Sequence, residues 1–145
     1  MTSWRESASQ QAQDDLDGLL DRTLPFAIQQ LDSHGEFFPF GALVSDAGEA
    51  RMVAADPSPG ARPGSAAMLD SMVERLRHDR GGLRAVALAT MVRTADGGDA
   101  VRVELEHSEG QAIAVLLPYR KKRLGRGIEY GSLAAGATTH QIWTS

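Results

Sequence analysis

The sequence predicts an α+β domain: an antiparallel sheet of about five or six strands with two helices on one face. Three observations carry this. Residues 99–119 alternate apolar and polar on either side of Ser108-Glu109-Gly110, the period of two expected of a β-hairpin. Two other stretches repeat apolar residues at spacings of three and four, as amphipathic helices do. The elements fall in the order α-β-β-α-β-β-β, so hairpin-linked strands split by one helix share a single sheet.

The first helix carries Leu16, Leu19, Leu20, Thr23, Ala27, Ile28 and Leu31 on one stripe. Pro25 lies inside it and predicts a kink or a restart, because proline lacks the amide donor and crowds the preceding turn. His34-Gly35 ends the element, glycine suiting the left-handed position. Phe38, Phe40, Ala42 and Val44 then share one parity, with Pro39 marking where pairing has not yet begun. Asp46-Ala47-Gly48 turns the chain, and Met52 and Ala54 lie on the return strand. The proline- and glycine-rich stretch 56–64 reads as a loop.

Ser65 is the expected N-cap of the second helix, whose stripe is Met68, Leu69, Met72, Val73 and Leu76. Arg80-Gly81-Gly82 stops it. From Leu83 to Thr94 apolar residues occupy both parities, which predicts a central strand covered on both faces. Asp96-Gly97-Gly98-Asp99 leads into the hairpin: Val101, Val103 and Leu105 turn inward on its first arm, and Ile113, Val115 and Leu117 on its second. The stretch 128–143 has weak strand character and several glycines.

A chain of 145 residues reads as one domain, 1–145, with residues 1–13 expected to be disordered or frayed. There is no cysteine, which excludes disulfides, thiolate metal sites and cysteine nucleophiles. The first residues have no apolar core, so no signal peptide is expected. No apolar stretch approaches the ~20 residues of a membrane span. A cytoplasmic protein without membrane association is the resulting expectation. Net charge is −4, yet five of the 15 basic side chains lie within Arg120–Arg126, and with those set aside it becomes −9. Such a run after Tyr119 suggests phosphate contacts, but one aromatic residue on an acidic domain argues against nucleic acid as the partner.

Glu104, Glu106 and His107 form the one local cluster of ligand-type residues. The glutamates, two apart on a strand, point the same way and suit a hard cation or an arginine-bearing partner, although solvent-facing glutamates have the same pattern. His107 points to the opposite face unless a bulge intervenes, and a metal would need a further ligand such as His34, Glu36 or His140. Tyr119 and Arg120 join Glu104, Glu106 and His107 as speculative ligand-binding residues. Pairs such as Glu104 with Asp46 or Glu129 occur in any acidic protein. There is no G-x-S-x-G elbow, no P-loop and no H-E-x-x-H, and the glycines at 125–131 lack the phosphate-loop spacing.

His34-Gly-Glu-Phe-Phe-Pro-Phe-Gly41 with its Asp46-x-Gly48 turn, Leu83-Arg-Ala-Val-Ala-Leu88, and Glu104-Leu-Glu-His107 followed by Gly110 and Leu117-Pro-Tyr119 together resemble a family of small bacterial proteins of unknown function. The resemblance spans about residues 16–131 and implies a shared fold, without catalytic or binding assignments. Those relatives tend to carry lysine in the turn at 96–99, where this chain has Asp-Gly-Gly-Asp. The element order is also similar to roadblock and profilin-like domains, an analogy of fold alone. The expectation is therefore a non-enzymatic protein-binding or accessory module, acting as a homodimer, with no cofactor and no metal. The alternative is a small-molecule or metal-binding protein, or an enzyme, with its site near Glu106, His107 and Tyr119.

Overall fold

The computed structural model describes residues 4–54, 65–122 and 127–144. A helical turn, α1 (Trp4–Ser7), precedes the long helix α2 (Gln10–His34). Strands β1 (Phe40–Ser45) and β2 (Ala50–Ala54) form a hairpin, and α3 (Ser65–Asp79) follows. Then come β3 (Leu83–Arg93), β4 (Asp99–His107), β5 (Ala112–Lys121), β6 (Ile128–Tyr130) and β7 (Ala134–Ala137). The sheet order is β2-β1-β3-β4-β5-β6, with β7 also pairing β5, and every pairing is antiparallel. Among the described residues the sheet has seven strands, more than the five or six expected, because the glycine-containing stretch supplies two short ones.

Parity on β3 sets the layers. Ala85, Ala87 and Ala89 face α2 with Phe40, Ala42, Val103 and Val115, and these small side chains let Leu16, Leu19, Ala27 and Leu31 close on the sheet. Val86 and Leu88 face the other way, where they join Leu43 with Met72, Val73 and Leu76 of α3. The two helices therefore lie on opposite faces, correcting the expectation of two on one face. The reason is β3 itself, since apolar residues on both parities need cover on both sides.

Helix α2 runs as one element through Pro25 and ends on Gly35, whose φ of 76° is left-handed and whose amide donates to the Leu31 carbonyl. Pairing of β1 starts at Phe40, so Phe38 lies before the strand and exposed, not on its inward parity. Within the stretch expected to be frayed, residues 4–7 and 10–13 are helical. The Ser9 hydroxyl accepts from the Ala12 amide as the N-cap, and Arg5 forks onto Asp17. Ser65 opens α3 as its first residue instead of preceding it, and the 123–126 part of the basic run lies outside the described residues. Among the described residues no helix is long and apolar enough to cross a membrane.

Candidate functional site

The β4–β5 bend holds most of the residues singled out by sequence, and regular alternation sends them to opposite faces. His107, only 1% exposed, turns toward α2, and its Nε2 lies 2.8 Å from Asp15 Oδ2. Its Nδ1 accepts from the Glu109 amide at 3.1 Å, so the ring is the neutral tautomer protonated on Nε2. Arg84 on β3 completes the group, donating from Nε and Nη2 to both Asp15 oxygens at 2.8 Å. Burial alone would raise the Asp15 carboxyl, but the bonds from Arg84 and His107 outweigh it and hold it below the ordinary carboxylate value. The Asp–His pair has the look of a catalytic relay. Both ring nitrogens are occupied by this chain's own groups, however, so the pair ties α2 to β3 and β4.

Glu106 faces the other way and is buried, not solvated. Its carboxylate accepts from the amides of Gln141, Ile142 and Trp143 at 2.8–3.1 Å. His140 Nδ1 reaches Glu106 Oε1 at 2.9 Å, while its Nε2 reaches the Gly110 carbonyl at 3.0 Å. Both partners are acceptors, so both bonds form together only when both ring nitrogens carry protons. Glu104 meets Arg102 at 3.0 Å and the Gln141 side-chain amide. From the α3 side Arg77 donates to the Gln141 carbonyl at 2.5 Å, and Arg80 to the Ile142 and Thr144 carbonyls at 2.9 and 3.1 Å. Residues 140–144 thus form a strap across this face, with Ile142 fully buried beneath it. The expectation of wet glutamates is corrected: the paired carboxylates grip backbone amides and an amide side chain of their own chain.

Tyr119 and Arg120 do not join Glu104, Glu106 and His107. Tyr119 pairs with Asp99 at the far end of the hairpin, seven positions from Glu106 and roughly 23 Å away at strand spacing. Burial raises the Tyr119 hydroxyl above its ordinary value, and Asp99 adds to the shift. Arg120 is exposed and donates through Nε and Nη2 to Glu129 at 2.8 and 2.7 Å. The speculative five-residue site is therefore separated into three places. Of the possible extra ligands, His140 alone is seen beside Glu106, and among the described residues no three His, Asp or Glu side chains converge as a metal would require.

Sequence reasoning missed Asp15, Arg84 and the strap amides. Asp15 was findable, since it lies three residues after Ala12 and four before Leu19 on the buried stripe of α2. An acid there requires a partner. The strap amides were not findable, because backbone donors carry no residue signature. Comparisons with protein-family models, with curated proteins and with solved structures returned no match.

Proposed function

We propose that this chain is a protein-binding module that acts as a homodimer through the β1–β2 side of its sheet. The carrying observation is the exposure of three large apolar side chains there: Phe38 at 70%, Met52 at 42% and Phe26 at 39%. Phe26 lies edge-on to Phe40 with ring centroids 4.9 Å apart, and Met52 sits across from Ala42 on the same face. Exposed aromatic residues on one side of a domain are the usual material of an interface centre. Strand β2 is the last in the sheet order on that side, and its residues are mostly exposed. A twofold pairing sets such a patch against its own copy. Engagement of Asp15, Glu106 and His107 by the chain itself further favours binding over catalysis.

Light scattering after size exclusion tests this. The expected mass is twice 15.5 kDa, falling to that of one chain in Phe26→Ser/Phe38→Ser with unchanged circular dichroism. A monomeric parent chain, or a dimer indifferent to both substitutions, would overturn it.

A further inference from the structure

At the opposite side of the sheet lies a groove of about 850 Å³, between α1, the β4–β5 turn and β7. We infer that it is a peptide-binding site, and that its occupant is an extended segment carrying an arginine or lysine side chain. This stands independently of the homodimer, which uses the other edge.

The first argument is the strand. Among the described residues β7 pairs only with β5, and all four of its residues are exposed. Thr138 donates its amide to Ala112, so by antiparallel alternation Gly136 also points its backbone groups at β5 while Ala135 and Ala137 point theirs outward. Exposed edges are normally defended by charge, proline or a bulge. Here residues 131–139 contain no charged residue and no proline, and Ala-Ala-Gly-Ala offers no bulk to keep a second backbone away. The volume beside it suits one or two side chains reaching in from such an added strand.

The second argument is the chemistry of the walls. Gln111 lines the groove, and its amide oxygen is buried without a hydrogen-bond partner. An orphaned buried acceptor is unfavourable, so turning the amide toward an incoming N–H is downhill. Glu109 also lines the groove; its Oε2 accepts from the Ser9 hydroxyl, and a carboxylate has further lone pairs to offer. Trp4 supplies the apolar wall. Arg5 stacks 4.6 Å from that indole, and its charge is matched by Asp17. The walls thus combine acceptors with a flat π surface. They complement a donor cation on an apolar stem and oppose an acidic side chain.

The probe is a labelled, alternating threonine–valine peptide with one central arginine, titrated into the full chain and followed by amide chemical shifts and fluorescence anisotropy. Perturbations are expected at residues 109–112 and 134–137. Exchanging arginine for norleucine or glutamate is expected to weaken binding at least tenfold. Glu109→Gln, which keeps the acceptor for Ser9, is expected to do the same. Ala135→Pro removes an outward amide without touching the ladder to β5, and is expected to abolish peptide binding with the melting temperature nearly unchanged. Free arginine methyl ester serves as the small-molecule arm. Perturbation by the ester equal to that by the peptide, binding indifferent to the central residue, or binding that survives Ala135→Pro would each overturn the proposal, as would the absence of any shift.

Discussion

Glu106 is the residue on which the second face depends. One carboxylate accepts three consecutive amides, and charged hydrogen bonds contribute more than neutral ones. Glu106→Gln keeps the volume but brings an NH₂ group against donors. We expect a loss of about 2–3 kcal/mol in denaturant titration, with faster hydrogen exchange at Gln141, Ile142 and Trp143. Unchanged exchange there would mean that Arg77 and Arg80 hold the strap by themselves. Asp15 gives a pH dependence. Its folded value lies below the ordinary 3.8, so the unfolded chain takes up a proton first as pH falls. The stabilisation is complete above about pH 5 and is lost as pH falls through the ordinary carboxylate range to the folded value. Asp15→Asn is expected to cost about 3 kcal/mol near neutrality, since it removes the charge facing Arg84 and leaves Arg84 and His107 one neutral acceptor oxygen in place of two charged ones. The gap from the parent chain should then narrow as the medium is acidified. A gap constant down to strong acid would remove the ion pair as its source.

At the level of elements, α2 contains the clearest local conflict. Pro25 is exposed in mid-helix and lacks the amide that would donate to residue 21. Pro25→Ala restores that donor without disturbing packing, and a rise of roughly 1–3 kcal/mol should appear as a higher thermal midpoint. A lower midpoint would show that the proline serves the placement of Phe26 or Thr23. Most of this level was legible in the sequence. The stripe of α2, the stripe of α3, the Gly35 stop, the Gly48 turn and the β4–β5 register all follow from periodicity and from glycines at φ 76° and 85°. What was not legible depends on partners distant in the chain. Nothing near Glu104 or Glu106 announces that residues 140–143 will cover them, so an amphipathic strand read as wet on one side. Tyr119 and His107 seemed close because a hairpin brings its arms together. Antiparallel register instead sends residues near the bend and residues near the open end to opposite poles.

For the whole molecule, the sheet separates two cores of different completeness. The α2 side is built from five strands and a 25-residue helix, whereas the α3 side is shorter and relies on Ile142 and Trp143 to finish it. The two surfaces assigned to partners lie at opposite lateral edges, so occupation of one leaves the other open. The apolar faces of β3 could have shown from sequence that the helices must be divided between the faces. The pattern does not say which helix goes where, because connection geometry decides that.

Synthesis runs from the N-terminal side toward the C-terminal side, and this gives the strap a particular timing. The buried residues clustered with Ile142, from Leu43 to Leu88, all leave the ribosome before Ile142 does. A nascent chain can therefore assemble the α2 side early, while the Glu106 carboxylate waits hydrated and Leu43, Val86 and Leu88 lack their last neighbour. For that interval the newborn protein offers a greasy, half-roofed surface to any chaperone close to the exit tunnel.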